Sequence, residues 1–170
     1  MVNEQKKVVL VSGGLGDIGR AIAMQFALEG MRVAISDLPS EEEANGRLEE
    51  MRQGGGEISY TRVDSTSELE VTNWIDRVEE EWGTPQVVVP NAGIVVAGSL
   101  TSDDFTSAQI RTQMDVNFWG SYHLAVIAAK RMKAKGLPGR ITLIGSWAAE
   151  RPNARISSYC ISKAAVRMLC

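Results

Sequence analysis

Residues 12–19 read SGGLGDIG; they follow the apolar run KVVLVS at 7–12 and open the stretch DIGRAIAMQFALEG, in which Ile18, Ile22 and Phe26 share one helical face. A strand that passes through a glycine turn directly into a helix constrains this chain more than any other stretch of it. Glycine admits backbone angles closed to other residues, and the missing Cβ lets an anion approach the N–H groups and dipole at the helix start. The spacing has three readings. Gly14, Gly16 and Gly19 spell G-x-G-x-x-G, the general dinucleotide fingerprint; Gly13, Gly16 and Gly19 spell G-x-x-G-x-x-G; and G-x-x-x-G-x-G from Gly13 fails only at Asp17.

The rest of the chain continues the same alternation. Strands are expected at 7–12, 32–36 (RVAIS), 57–63 (EISYTRV), 86–90 (QVVVP) and 140–145 (RITLIG), most without polar alternation, as in a parallel sheet covered on both faces. Ser40 with Glu43, and Ser67 with Glu70, have capping-box spacing. Val71, Trp74, Ile75, Val78 and Trp82 then recur at helical intervals before Gly83, and the glycines at 54–56 end the preceding helix. The expected fold class is α/β, a Rossmann-type doubly wound parallel sheet with five strands in this chain; 170 residues suit one domain.

With 44% hydrophobic residues, 23% charged residues and a net charge of −3, the composition is that of a globular protein without a basic tract for nucleic acid or a membrane surface. The start, MVNEQKKVVLVSGG, sets two lysines before an apolar run, but the run passes into glycines without a small-residue cleavage site and is read as the first strand. Apolar stretches are too short to span a bilayer, and Cys160 and Cys170 are too few for a disulfide framework. A reducing, cytoplasmic setting is expected.

On the nucleotide reading, Gly13, Leu15, Gly16, Asp17, Ile18 and Gly19 form the cofactor turn. Asp37 ends the second strand, close to the roughly 20-residue spacing expected after the fingerprint. A carboxylate there accepts hydrogen bonds from ribose hydroxyls and repels the 2′-phosphate of NADP, so NAD is the expected cofactor. Asp64, closing the third strand, either contacts the adenine or caps the next helix.

The segment GSWAAERPNARISSYCISKAAV places Tyr159 and Lys163 at i and i+4, on one helical face. A phenol titrates near pH 10 (about three units above neutrality), so it is a poor base unless a nearby cation favours the phenolate; Lys163 would supply that field. Alone, Y-x-x-x-K is a weak signal. Here it is joined by Ser146, by NAG (Asn91, Ala92, Gly93), by VNFWG at 116–120, by Asp37 and Asp64, and by the glycine turn. With these residues the chain resembles the short-chain dehydrogenase/reductase family from its first strand to its last residue. The resemblance implies that Ser146 hydrogen-bonds the substrate oxygen and the phenol, that Tyr159 exchanges the proton, and that Lys163 supports the phenolate and holds the nicotinamide ribose. It also implies that Asn117 anchors a relay water through its backbone carbonyl, and that Asn91, Ala92 and Gly93 lie along the cofactor. The implied activity is hydride transfer between nicotinamide and a secondary alcohol or ketone. A small-molecule substrate and a homo-oligomer built through the long helix after Asn117 and the Tyr159 helix are the implied partners.

Within that family G-x-x-x-G-x-G marks the single-domain branch and G-x-x-G-x-x-G the extended one. NAG after the fourth strand and the short interval from Ser146 to Tyr159 place this chain with the former. Asp17 is then a departure that sets a carboxylate near the pyrophosphate, and Gly16 is expected to restore backbone freedom one position early. Pro90 stands where the family has asparagine and removes one ladder donor. The chain is expected to lack the family's C-terminal strands and substrate-closing segment, since it stops at KAAVRMLC, and the fifth strand is expected to be a sheet edge. On that account a non-catalytic dinucleotide-binding or interaction protein is the alternative. Ile94, Val95, Trp147 and Ala148 either line the substrate mouth or pack. His123 is read as packed or surface-exposed without a metal pattern, Cys160 as a packed thiol, and RVEEEW as a solvated helix face.

Overall fold

The computed structural model describes residues 6–103 and 105–170; residues 1–5 of the N-terminal stretch lie outside the described residues. Strands β1 (Val8–Ser12), β2 (Arg32–Asp37), β3 (Glu57–Arg62), β4 (Val87–Val89) and β5 (Arg140–Ile141) form one parallel sheet in the order β3-β2-β1-β4-β5. Between them run helices α1 (Asp17–Leu28), α2 (Glu41–Gln53), α3 (Glu68–Trp82), α4 (Ser107–Met114) and α5 (Gly120–Ala134), with α6 (Ser157–Arg167) after β5. A π-turn, Asp115–Trp119, joins α4 to α5, and a 3₁₀ turn, Trp147–Ala149, precedes α6.

The apolar strands serve two cores, as their lack of polar alternation requires. Val8 and Leu10 of β1 face α3 and α5 with Trp74, Ile75 and Leu124; Val9 and Val11 face α1 and α2 with Ala23, Leu48 and Met51. Chain order reverses between β1, which leads to β2, and β4 on its other side. A crevice beyond the carboxyl ends of the strands at such a switch point is where α/β sheets bind ligands.

Helix starts follow their caps. Ser40 and Glu43 form both halves of a capping box. Ser67 accepts from the Glu70 N–H, but the Glu70 carboxylate takes the Asp64 N–H instead of completing the second box. Gly83 ends α3 at φ 95°.

Several sequence expectations are corrected. In α1 Gly19, Ala23 and Ala27 are buried and Ile22 and Phe26 pack partly buried against the same core, whereas Ile18, expected on that face, is 60% exposed; small side chains let the helix lie close to the strands. The expected strand 140–145 is only Arg140–Ile141, and 86–90 is only Val87–Val89. Arg140 N–H donates to Gln86 O at 2.8 Å and Thr142 N–H to Val88 O at 2.9 Å. The next rung of an evenly spaced parallel ladder would need a donor at residue 90, and Pro90 has none. β3 ends at Arg62, although Val63 N–H still reaches Asp37 O at 2.9 Å. RVEEEW is not wholly solvated: the Glu79 side chain is 10% exposed and lies 3.4 Å from Lys135 and 3.7 Å from Arg131.

Candidate active site

Two groups of residues stand side by side beyond the strand ends. The first is the glycine turn. Gly13 has φ 63°, and a Cβ there would lie 2.9 Å from Ala92 Cα. A Cβ on Gly19 would meet Gly13 O at 2.2 Å, and one on Gly14 would meet Ile35 Cβ at 2.5 Å. Gly16 needs no such freedom, which corrects its expected role: φ is −73°, and a Cβ would find nothing nearer than 3.5 Å. The turn is held by residues 91 and 92. Ser12 Oγ accepts the Asn91 and Ala92 N–H groups, both at 3.1 Å, while Asn91 Nδ2 donates to Ser12 O and Gly13 O. Ser12 was not legible as a site residue, since a serine closing a strand carries no signal until its partners are known.

A cleft of about 580 Å³ opens over this turn, walled by Gly13, Leu15–Gly19, Asp37, Asp64 and Asn91–Ile94. Asp37 Oδ2 accepts the Leu15 N–H at 3.1 Å and its Oδ1 the Leu38 N–H at 2.9 Å. Arg47, which sequence reasoning missed, reaches from α2 into the same wall and donates to Leu15 O at 3.4 Å. Asp37 and Arg47 therefore grip the two polar groups of one residue at the tip of the turn. Asp64 Oδ1 accepts from Thr66 N–H and Thr66 Oγ1, leaving the cap of α3 to Ser67. Asp17 projects into solvent, 4.0 Å from Arg20. α1 has no side-chain cap, and its first residues, Asp17, Ile18 and Gly19, line the cleft. Glycines that let the turn close tightly on its neighbours, beside an uncapped helix start that lines the cleft, fit a dinucleotide pyrophosphate.

The second group lies on α6 and the segment before it, outside the cleft wall. Lys163 is 6% exposed, its Nζ donates to Ile144 O at 2.8 Å, and it lies 5.8 Å from the centre of the Tyr159 ring. Burial pushes the Lys163 ammonium below its ordinary value of 10.5. Ser146 Oγ accepts the Ala148 N–H at 3.1 Å and so starts the 3₁₀ turn, which packs on α6. Asn117 is fully buried in the π-turn. Its Oδ1 accepts the Ile94 N–H at 2.8 Å and its Nδ2 donates to Ile94 O and to Ser162 Oγ. Its carbonyl accepts from Ser121 Oγ at 2.7 Å, while Lys163 is turned to Ile144 O. Through Ile94, Asn117 ties the second group to the cleft wall.

Around the mouth, Val95 is 57% and Trp147 59% exposed, whereas Ala148 is buried and belongs to the packing. His123 meets Ser65 O at 3.2 Å and stacks on Trp119; among the described residues there is no cluster that could hold a metal. Cys160 is buried, with Sγ directed at Arg151 O. Among the described residues, no helix is long and apolar enough to cross a membrane.

A family profile described as short chain dehydrogenase matches residues 7–170. The 7alpha-hydroxysteroid dehydrogenase of Escherichia coli (strain K12) is 34% identical over 163 residues, covering 96% of this chain. The chain spans 62% of that relative's length. Among solved structures, a short-chain type dehydrogenase/reductase from Mycobacterium marinum superposes with a TM-score of 0.89 at 30% identity, over 96% of this chain and 64% of that one. A short chain dehydrogenase/reductase from Burkholderia phymatum in complex with NAD gives a TM-score of 0.89 at 25% identity, over 99% of this chain and 59% of that one.

Proposed function

The chain belongs to the short-chain dehydrogenase/reductase family, and from that premise we propose that it is an NAD(H)-dependent oxidoreductase acting on a secondary alcohol or ketone. The observation that carries the proposal is the Lys163 ammonium held 5.8 Å from the Tyr159 ring, on a helix tied by Asn117 to the wall of the glycine-lined cleft.

The residues divide the work. Gly13, Leu15, Gly16, Asp17, Ile18 and Gly19 would hold the pyrophosphate against the start of α1, and Asn91, Ala92 and Gly93 would flank the cofactor on the other side. Each Asp37 oxygen accepts one backbone N–H and keeps a lone pair for a ribose hydroxyl. Asp64 would border the adenine. Of the described charged residues lining the cleft, Asp17, Asp37 and Asp64 are carboxylates and Arg47 is the one cation, a balance that disfavours the added 2′-phosphate of NADP. Bound there, the dinucleotide supplies the hydride acceptor or donor. Tyr159 exchanges the proton of the substrate oxygen, supported by the field of the buried Lys163 cation. Lys163 uses one N–H on Ile144 O and has two left for a ribose. Because Ser146 Oγ accepts from Ala148 N–H, its own hydrogen remains to donate to the substrate oxygen. Asn117 orients this group through Ile94 and Ser162 and is the candidate anchor of a relay water. A small alcohol or carbonyl substrate, self-association through α5 and α6, and a cytoplasmic location suited to the free thiols of Cys160 and Cys170 belong to the same reading.

Fluorescence titration with NADH and NADPH, followed by an alcohol and ketone panel, tests it. NADH should bind more tightly than NADPH, and Asp37→Asn should narrow the gap; tighter binding of NADPH would overturn the NAD assignment. NADH binding without turnover across the panel would favour the non-catalytic alternative.

A further inference from the structure

Gln113 lies on α4, away from the cofactor cleft, yet it is fully buried. A primary amide in such a place costs free energy unless both its ends are hydrogen-bonded, and here both are. Its Oε1 accepts the Val96 N–H through a short contact, and its Nε2 donates to the fully buried Ser158 Oγ at 2.8 Å. The amide's orientation is fixed by chemistry, because the Val96 N–H can only donate.

Four residues on, Asn117 repeats the arrangement, accepting from Ile94 N–H and donating to Ser162 Oγ at 2.9 Å. Ser158 and Ser162 are likewise four apart, and each directly precedes a member of the Tyr159 and Lys163 pair. Two amides from one helical run thus make two rungs to α6, and each also grips the segment at the mouth, at Val96 and Ile94. Val95, between the gripped residues, is left 57% exposed. The Asn117 rung lies within the π-helical turn Asp115–Trp119 and the Gln113 rung on the last turn of α4 just before it. Buried, fully satisfied amide networks fix one geometry where apolar side chains of similar volume would permit several.

We propose that Gln113 is a positioning residue for the reaction: through Ser158 and Val96 it sets how the Tyr159 face of α6 stands against the 94–96 segment, where the substrate enters. The proposal rests on the oxidoreductase reading. Gln113 touches neither cofactor nor substrate on this account, so its removal acts on turnover and not on dinucleotide affinity.

The test compares the full chain with Gln113→Met, Ser158→Ala and the double variant, by NADH titration, steady-state kinetics and amide hydrogen exchange. In Gln113→Met the NADH dissociation constant should stay within about twofold, while kcat falls about tenfold or more with little change in the KM for cofactor. Exchange should quicken at least about tenfold at residues 94–98 and 157–160 and remain unchanged in β1–β3. Ser158→Ala keeps the Val96 bond and should show a smaller fall in kcat with faster exchange confined to 157–160; it carries the test if Gln113→Met does not fold. The double variant should be no worse than Gln113→Met, since both remove the same rung. Unchanged kcat, or faster exchange spread evenly over the strands, would overturn the positioning role. Absence of turnover in the unaltered chain would instead overturn the oxidoreductase reading, while the exchange pattern would still report whether the clamp exists.

Discussion

Gly19→Ala and Gly16→Ala are one-methyl changes in the same turn with opposite expected consequences. At position 19 the new methyl would sit 2.2 Å from Gly13 O and 2.7 Å from Asn91 Nδ2. A carbonyl oxygen in a turn pinned by Ser12 and Asn91 has no rotamer to relax into, so α1 must move off the turn by about 1 Å to reach ordinary contact. Overpacking of that kind costs about 1–3 kcal/mol. Displacing Asn91 Nδ2 also sacrifices its bonds to Ser12 O at 3.1 Å and Gly13 O at 3.0 Å, at about 1 kcal/mol each. The expected loss is about 3–5 kcal/mol, a large share of the roughly 5–15 kcal/mol that keeps a domain folded. At position 16 the methyl meets nothing nearer than 3.5 Å and φ is already −73°. Alanine is the poorer N-cap, but it lowers the entropy of the unfolded chain, so the net change should be under about 0.5 kcal/mol. Urea unfolding with NADH titration of each variant provides the measurement. Comparable destabilisation by the two changes, or a Gly19→Ala variant within about 1 kcal/mol of the parent, would refute the assignment of the turn to Gly13, Gly14 and Gly19.

Asp17→Gly should tighten NADH binding by about two- to fivefold at low salt and by less at high salt, because one solvated carboxylate leaves the cleft wall; unchanged or weaker affinity would show that Asp17 is no burden on the pyrophosphate. Lys163, whose pKa burial lowers, binds fewer protons folded than unfolded in the window between its depressed value and 10.5. The burial penalty is therefore present in full below that window and is relieved as pH rises through it. Relative to Lys163→Met, the parent should gain stability across the alkaline range in urea unfolding, and a flat or falling difference would remove burial as the cause.

The strand alternation was legible because the central strands are covered on both faces and so read as short, largely apolar runs rich in valine and isoleucine, and α3 was legible because Val71, Trp74, Ile75, Val78 and Trp82 all reach one core. The packing face of α1 was legible only in part: Ile22 and Phe26 pack against the core, but Gly19, Ala23 and Ala27, which approach the sheet closely because they are small, give little hydrophobic periodicity. The shortness of β5 is written in a different strand, at Pro90. Tyr159 and Lys163 could be read from local spacing combined with the family's other motifs. Ser12, Arg47 and Gln113 could not, since each is defined by a partner distant in sequence: Ala92, Leu15 and Ser158 respectively. The i and i+4 recurrence of Gln113 with Asn117, matched by Ser158 with Ser162, is the one pattern that could have pointed to the two rungs.

On the proposed reading Tyr159, beside Lys163, handles the proton while the cleft over the glycine turn holds the pyrophosphate of the dinucleotide. Tyr159→Phe measures it most directly, by NADH titration alongside turnover of whichever substrate the parent accepts. Binding should remain within about twofold of the parent while kcat falls by about 10²–10⁴, the span of a lost general acid–base. Undiminished turnover in Tyr159→Phe would contradict the account.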